Sequence, residues 1–473
     1  MKLFRITPLS AIFLFTAIIM LCRPASAMTV KEEEEMSHEF MRMAVSHYQL
    51  IEDPMINDYV KRVGRKIIAV MPPQPFTFHF YVVQEDVYNA FAGPAGHIFL
   101  HSGLLEALSG EDELAGILAH EISHVSCRHL SDMIKKSKQT TLATLAGVAA
   151  GIFLGAGGAA AAGSAVTIGS MAAGQSLSLA YSRENEIQAD QNALQYLAKA
   201  GYSASGLLES LKTIRAKTWF GTDEVPSYLM THPAVDDRIT YIGSWVTAHE
   251  TGPHQPSDQS RNDFSRMKTR LLARYGDKQA VLNKFAEDSR KHPESAMIQY
   301  GYGLALARNG QHKEAIAHLR NALEKKPFDP YIVQELGRIY FLEGQYEKAL
   351  AMLGTNSPSQ PFDPESRVYL GRTQAALSLY SEAIATLEEV TAQKPDYVMT
   401  YYYLGEIHGK EGRLGNAHYY LGIYYRKKED YLNADFHLKT AVKQLTDPAL
   451  IREAEKLLNE VRQMEAMGMT GMF

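Results

Sequence analysis

One short motif in this sequence could bind a metal ion and use it for hydrolysis. Residues 120–124 read H-E-I-S-H, so His120 and His124 are four positions apart and Glu121 follows the first of them. On an α-helix, residues four apart lie on one face a turn apart, so the two imidazoles can share one ion. Glu121 would lie where it could activate a water molecule. The alternative is a buried helix that carries two histidines without a metal.

The sequence around this motif predicts a buried helix over residues 111–129. Ser109 is placed to be its N-cap, with Asp112 as the capping-box partner three residues later. The apolar residues that surround the motif predict burial on most sides. They are Leu114, Ile117, Leu118, Ile122 and Val125.

A site with two histidines needs a third protein ligand from elsewhere in the chain. Glu186 and Asp190 are four apart on a predicted helix that ends near Gly201. Glu186 could bind the ion, and Asp190 could hold a ligand imidazole through its second ring nitrogen. Two acids that face solvent are the alternative.

Composition excludes some classes of function. The chain has 473 residues, too many for one compact core, so we expect two or more domains. Its formal net charge of -5 argues against a nucleic-acid-binding protein. Of its two cysteines, Cys22 lies in a predicted leader and Cys127 is interpreted as a packed thiol, so no intramolecular disulfide is expected after export.

The N-terminus has the layout of a secretory signal peptide. Lys2 and Arg5 precede a short apolar run, and residues 25–27 read A-S-A, which matches an A-x-A cleavage site. The run is short for a membrane span, so an uncleaved anchor is the weaker interpretation. We therefore predict export.

Strands are predicted ahead of the motif. Alternating apolar residues over 76–82 indicate one strand, and residues 87–102 indicate two more that are joined at 93–96. A strand edge beside the metal could pair with an extended substrate. His97 and His101 are interpreted as structural or rim residues.

Residues 139–182 contain no charged residue and are rich in Gly, Ala, Ser and Thr. We predict a helical cover near the active site, and shallow contact with a membrane surface is the main alternative. A membrane-spanning hairpin is a third interpretation, although the stretch has few large apolar residues.

A period of 34 residues runs through the C-terminal part of the chain and predicts tetratricopeptide repeats, which are stacked helix-turn-helix units. A small-residue signature recurs again with an offset of 17 residues at Gly422, Ala434 and Leu438, so we expect the array to continue in an overlapping form. The glycines in register are Gly303, Gly337, Gly371 and Gly405.

These patterns predict an α+β domain, mostly helical with a small sheet, followed by an all-α repeat solenoid. A polar stretch marks the linker between them. The predicted segments are a signal peptide at 1–27, the catalytic domain at 28–250, the linker at 251–261, the repeat domain at 262–463 and a Met-rich tail at 464–473.

Four motifs occur together: N-A-F before G-x-I-F, A-H-E-x-x-H-V-x-x-R-H, S-R-x-x-E-x-x-A-D, and H-P-x-x-x-x-R. Together they resemble the HtpX/CAAX-protease superfamily of zinc metallopeptidases. The resemblance implies a zincin-like domain that binds one Zn²⁺ per chain through His120, His124 and Glu186, with Glu121 as the catalytic acid/base.

The same resemblance implies roles for three further residues. Asp190 corresponds to the acid that supports the ligands, and His232 to a histidine that can be the fourth ligand in a latent state. Arg238 corresponds to an arginine that orders the site or its transition state, and it counts with Glu121 as catalytic.

The export signal and the repeats together resemble periplasmic members of this superfamily that act in outer-membrane β-barrel assembly. This implies a periplasmic endopeptidase that hydrolyses misfolded or misassembled envelope proteins and assists outer-membrane protein assembly. Its expected partners are those proteins, the β-barrel assembly machinery through the repeats, and peripherally a membrane, but no nucleic acid. The alternative is a chaperone or scaffold with a latent protease site.

Overall fold

The computed structural model describes residues 28–136, 180–219, 226–250, 252, 254–355 and 362–466. The chain divides into two compact units between Lys268 and Thr269. The predicted signal peptide, residues 139–179 of the Gly/Ala-rich stretch and residues 467–473 of the tail lie outside the described residues. None of the described helices is both long and apolar enough to cross a membrane.

The elements of the first unit are α1 (Val30–His47), α2 (Pro54–Ile68), β1 (His79–Val83), β2 (Ala90–Ala92), β3 (His97–His101), α3 (Ser102–Ala107), α4 (Glu111–Ser126), α5 (His129–Lys136), α6 (Arg183–Ala200), α7 (Ser205–Trp219), α8 (Ser227–Thr231) and α9 (Val235–His249). The next helix, α10 (Asp258–Tyr275), begins inside the predicted linker and crosses the division between the units. The domain boundaries drawn from the sequence stay a prediction.

The three strands form one mixed sheet in the order β1-β3-β2. β1 runs parallel to β3 and β2 runs antiparallel to it, with Ala90 opposite Leu100. The two short strands predicted within residues 87–102 are confirmed, and a tight turn at Pro94–Gly96 joins them. The first strand begins at His79, three residues later than predicted.

Helix α4, which carries the histidine motif, is the central helix of this unit and is buried throughout its middle and C-terminal part, from Leu114 to Val125. It packs against β2, α6 and α7. Helix α7 approaches so closely that a Cβ atom on Gly116 would lie 2.6 Å from the backbone of Leu207. The motif is therefore held on a rigid, enclosed helix.

The predicted start of α4 is wrong in its details. The N-cap is Gly110, and Ser109 makes no side-chain cap; instead its backbone N–H donates to Glu113 at 3.1 Å. Asp112 does not close a capping box because its carboxylate accepts a hydrogen bond from the backbone N–H of Ser203 at 3.1 Å, just before α7. A tertiary contact has replaced the local one.

The second unit consists of antiparallel helix pairs: the C-terminal part of α10, then α11 (Lys278–Lys291), α12 (Ala296–Arg308), α13 (His312–Lys325), α14 (Pro330–Leu342), α15 (Tyr346–Leu353), α16 (Pro364–Ala376), α17 (Tyr380–Gln393), α18 (Met399–Lys410), α19 (Leu414–Lys427), α20 (Tyr431–Gln444) and α21 (Pro448–Ala466). The predicted fold class, an α+β domain followed by helical repeats, is confirmed.

One contact defines the repeat. In four successive pairs, from α12 and α13 to α18 and α19, a glycine on the first helix faces a leucine on the second, so close that an added Cβ atom would lie 2.6–2.8 Å from the leucine Cγ. Helix α19 takes part in two such contacts, since Leu421 packs on Gly405 of α18 while Gly422 receives Leu438 of α20. The 17-residue offset in the sequence arises because one helix serves two repeats.

Candidate metal centre

Three helices bring four metal donors together. Helix α4 carries His120 and His124, α6 carries Glu186, and His232 follows directly after α8. One donor atom from each residue lies within 4.8 Å of the others, and all four residues are buried. Within the described part of the chain, this is the one group of His, Cys, Asp and Glu side chains arranged to hold a metal ion.

A capping motif in the local sequence fixes where α6, the helix that carries Glu186, begins. Ser182 is the N-cap and exchanges hydrogen bonds with Asn185, each at 3.2 Å. Glu186 therefore lies in the first turn, on a helix that packs against α4. The helix ends at Gly201, where a φ of 70° suits glycine and where the sequence predicted the end.

The distances between the donor atoms fit a single ion. The Nε2 atom of His120 lies 3.0 Å from Nε2 of His124 and 3.5 Å from Oε2 of Glu186. The Nδ1 atom of His232 lies 3.3 Å from Nε2 of His120 and 3.2 Å from Oε1 of Glu186. A tetrahedral ion with bonds of about 2.0–2.1 Å separates its ligand atoms by about 3.3 Å, so this donor set fits an ion such as zinc.

The outer nitrogens of both motif histidines are held by further side chains. Nδ1 of His120 lies 2.8 Å from a carboxylate oxygen of Asp190. Nδ1 of His124 lies 2.9 Å from His129, whose other nitrogen lies 3.0 Å from Oε1 of Gln188. Such partners fix the ring orientation and tautomer of a metal-binding imidazole. Asp190 was assigned this position from the sequence, whereas His129 was quoted in the motif without a role.

Arg238 on α9 contacts two carboxylates of the site, those of Glu186 and Asp190. Its Nη1 atom lies 2.7 Å from Oε2 of Glu186, and its Nε and Nη2 atoms donate to Asp190 at 2.8 and 2.7 Å. Burial alone would raise the pKa of both acids, but the guanidinium holds each pKa well below its ordinary value. The contacts therefore place Arg238 where it fixes Glu186 and Asp190 as anions.

Glu121 lies in a different environment from Glu186. It is fully buried, and burial raises the pKa of its carboxyl above the ordinary value. Both of its oxygens lack a hydrogen-bond partner among the described residues, and the nearest imidazole nitrogen of His232 is 3.6 Å away. Two neighbouring carboxylates with pKa values pushed apart are typical of a site in which one binds and the other transfers a proton.

Two tyrosines that the sequence did not single out form the walls of the site. Tyr181 stacks on His124 with ring centroids 3.9 Å apart, and Tyr228 stacks on His232 at 4.3 Å. Tyr181 directly precedes the S-R-x-x-E-x-x-A-D motif, which could have drawn attention to it. Nothing in the local sequence marks Tyr228, because it reaches the site through the tertiary position of α8.

The hydroxyl of Tyr228 is buried and has no hydrogen-bond partner in the described part of the chain. Tyr228→Phe keeps the stacked ring and removes this unpaired group, so we expect the free energy of unfolding of the metal-free protein to rise by about 1 kcal/mol, measured by urea denaturation. The matched control is Tyr59→Phe, which should lower it by about 1 kcal/mol because that hydroxyl donates to Glu111 at 2.7 Å. A clear loss of stability in Tyr228→Phe would contradict the reading of an unpaired hydroxyl.

Comparison with known proteins identifies the catalytic unit. Residues 54–246 match the family model described as peptidase family M48. The chain contains a peptidase family M48 domain. The M48 domain includes every predicted site residue, from His120 to Arg238, and confirms the metallopeptidase resemblance of the four motifs. Tetratricopeptide-repeat models match residues 278–330 and 306–367, which confirms the repeats that follow the M48 domain.

Similar proteins include two named as beta-barrel assembly-enhancing proteases. The Vibrio cholerae protein is 31% identical over 306 residues, which cover 64% of this chain and 62% of that protein. The Yersinia pestis protein is 28% identical over 320 residues, which cover 67% of this chain and 62% of that protein. The mitochondrial metalloendopeptidase OMA1 of Schizosaccharomyces pombe is 29% identical over 191 residues, 40% of this chain and 52% of that protein. The chain thus spans less than two thirds of the length of these curated relatives.

Proposed function

We propose that this chain is a zinc-dependent endopeptidase of the periplasm that cleaves misfolded or misassembled envelope proteins and assists outer-membrane protein assembly. The observation that carries the proposal is the buried set of four donors with Glu121 beside it, inside an M48 domain. The signal-like N-terminus supports export. The names of the bacterial relatives support a role in β-barrel assembly.

In this proposal His120, His124 and Glu186 hold one zinc ion per chain, and Asp190 and His129 keep the imidazole Nε2 atoms directed at it. Two histidines and one carboxylate are a donor set typical of catalytic zinc sites, which keep a further position open. When bound, zinc polarises the scissile carbonyl and makes a water molecule acidic enough to be deprotonated near neutral pH.

Glu121 is the proposed acid/base. Its carboxylate takes a proton from the attacking water and returns that proton to the leaving amine as the peptide bond breaks. Both of its carboxylate oxygens lack a hydrogen-bond partner among the described residues, so either oxygen can accept the proton and return it. Arg238 is proposed to act through Glu186 and Asp190, as a positioning residue.

His232 is proposed to keep the site latent. It is fully buried, with Nδ1 among the donor atoms of the other ligands and Nε2 facing Glu121. A substrate carbonyl would have to approach both the donor atoms and Glu121, and in this structure the imidazole of His232 contacts the donors through Nδ1 and faces Glu121 through Nε2. Cleavage would then require His232 to move away.

The test is zinc content measured together with cleavage of a denatured outer-membrane β-barrel protein. We expect the wild type to bind one zinc ion per chain and to lose cleavage on chelation. His232→Ala should retain zinc and cleave with a kcat/KM about tenfold higher, if the open state is about a tenth of the wild-type population. His249→Ala, on the exposed end of α9, is the matched control and should change neither. Failure of both zinc-loaded proteins, the wild type and His232→Ala, to cleave would refute the function, and lower activity in His232→Ala than in the wild type would refute the latch.

A chaperone or scaffold function is the second candidate. The observation that favours it is the length of the repeat unit, which extends from α10 to α21 and offers far more surface than a peptidase site needs. In this version the repeats bind unfolded outer-membrane proteins and the β-barrel assembly machinery, and cleavage is secondary. Neither version involves nucleic acid, and both allow peripheral contact with a membrane.

A further inference from the structure

One arginine in the repeat unit is enclosed by aromatic rings. The guanidinium carbon of Arg372, on α16, lies 4.6 Å from the ring centroid of Phe341, 5.3 Å from that of Tyr369 and 4.5 Å from that of Tyr403. These rings come from α14, α16 and α18, and a cation within about 6 Å of an aromatic face is attracted to it. All four residues are only partly buried, so the cluster is in part open to solvent.

Arg372 and two of its three rings lie at positions that recur from one repeat to the next. Tyr403 follows Tyr369 by 34 residues, and Arg372 follows Arg338 by the same interval, so the cluster occupies equivalent positions of successive repeats. Helices α14, α16 and α18 are the first helices of their pairs and contact one another. The face formed by such helices is the extended binding surface of a helical solenoid.

Arg372 and Arg338, which occupy the same position in successive repeats, differ in whether an acidic side chain pairs with them. Arg338 is paired with Glu335 at 2.8 Å. Arg372 makes no ion pair and no side-chain hydrogen bond within the described ranges. Glu406, three residues after Tyr403 on α18, is paired with Lys410 at 2.7 Å. The rings attract the guanidinium as a cation and accept no conventional hydrogen bond from it, so its N–H donors stay available for a ligand.

A carboxylate is the group that best matches those donors. It can accept two parallel N–H bonds from a guanidinium, and such charge-assisted pairs are among the strongest hydrogen bonds in proteins. The surface continues on the far side of Tyr403, where Tyr402 is 37% exposed and packs edge-on against Tyr403 with centroids 5.8 Å apart. Aromatic side chains therefore flank the guanidinium on two sides. This arrangement suits a carboxylate in the middle of a bound polypeptide, because the residues before and after it can both pack on rings.

We propose that Arg372 and its three rings bind the carboxylate side chain of a glutamate or aspartate within an extended, apolar-flanked segment of a client polypeptide. The proposal rests on the proposed function in one respect, namely that the repeats receive client chains. The carboxylate pairs with the guanidinium, and the flanking apolar side chains pack on Phe341 and Tyr403. A structural role alone, in which Arg372 only holds three helices together, is the competing explanation.

The test measures binding and not cleavage, so that its failure is distinguishable from failure of the peptidase assignment. The full chain carries Glu121→Gln throughout to prevent cleavage. The probe is a fluorescein-labelled, C-terminally amidated peptide, Ser-Tyr-Phe-Glu-Phe-Ser-Gly, compared by anisotropy with the same peptide carrying Gln in place of Glu. A third probe is the Gln peptide with a free C-terminal carboxylate.

We expect the Glu probe to bind the parent chain about tenfold more tightly than the Gln probe, as loss of a charge-assisted hydrogen-bonded pair implies. In Arg372→Gln the two probes should bind equally weakly, and Arg372→Lys should recover only part of the difference. Arg320→Gln is the matched control, since Arg320 also lies over a ring, that of Tyr340 at 5.6 Å, but on the second helix of its pair. It should leave the tenfold preference intact.

Three results would overturn the proposal. One is an equal affinity of the parent chain for the Glu and Gln probes. Another is a Glu preference that persists in Arg372→Gln, which would place the carboxylate elsewhere. The third is tighter binding of the free-carboxylate probe than of the Glu probe, which would make the occupant a chain terminus. A lower melting temperature in Arg372→Gln with the preference unchanged would support the purely structural role.

Discussion

Glu121→Gln should abolish cleavage while the protein keeps its fold and its metal. An amide cannot accept the proton of the attacking water, and general acid–base catalysis of this kind contributes about 10²–10⁴ in rate, so we expect kcat to fall by about 10³ or more. Glu121 is not one of the four clustered donors, so zinc content should stay at one per chain. Because its oxygens have no hydrogen-bond partner among the described residues, the isosteric amide should not lower the free energy of unfolding.

Glu113→Gln is the matched control for this variant. It makes the same chemical change two turns earlier on α4, where the carboxylate accepts from the backbone N–H of Ser109 and faces no metal donor. The control should cleave at the wild-type rate. Cleavage by Glu121→Gln at a comparable rate, in protein shown by a metal-free blank to lack contaminating proteases, would refute the assigned mechanism.

The same variant separates the two candidate functions. In cells that lack the wild-type chain, Glu121→Gln should fail to restore clearance of misassembled outer-membrane proteins if peptidase activity is the main function. Full restoration by Glu121→Gln together with loss of restoration in Arg372→Gln would instead favour the chaperone function. Both variants retain every repeat, so a difference between them cannot come from a missing part of the repeat unit.

The metal donors could be predicted from the sequence more fully than the residues that hold those donors in place. His120 and His124 follow from helical spacing, and Glu186 follows from the need for a third ligand on a later helix. The supports come from residues far apart in sequence, such as Arg238 with Asp190 and Gln188 with His129. Periodicity carries no information about such pairs, because they exist only once the helices have packed.

The errors at element boundaries have the same origin. A Ser followed three residues later by Asp is a good local cap, but the carboxylate of Asp112 is used by the backbone at Ser203. The repeat glycines were predictable for the opposite reason. Each faces a leucine 16 residues later, as Gly422 faces Leu438, so the constraint is local enough to leave a regular mark in the sequence. Prediction succeeds where the physical partner is near in the chain.

Arg238→Met should strongly destabilise the M48 domain. Arg238 is 1% exposed and its removal leaves the carboxylates of Glu186 and Asp190 buried without their counter-charge. Breaking a buried ion pair by removing one partner costs about 3–5 kcal/mol, so we expect a loss of that size in the urea unfolding of the metal-free protein. Arg183→Met is the matched control, because its pair with Asp237 is exposed and should contribute less than about 1 kcal/mol.

The variant also distinguishes a positioning role for Arg238 from a catalytic one. If Arg238 acts by fixing Glu186 and Asp190, then Arg238→Met should weaken zinc binding by about 10–100-fold, the usual effect of removing a group that supports the ligands. Adding Asp190→Asn should then recover part of the lost stability, because it removes one of the two uncompensated charges. If Arg238 instead contacts only the reacting substrate, kcat should fall with zinc affinity and stability unchanged. Its burial and its three short contacts to the two carboxylates favour the first outcome, since they tie the guanidinium to Glu186 and Asp190.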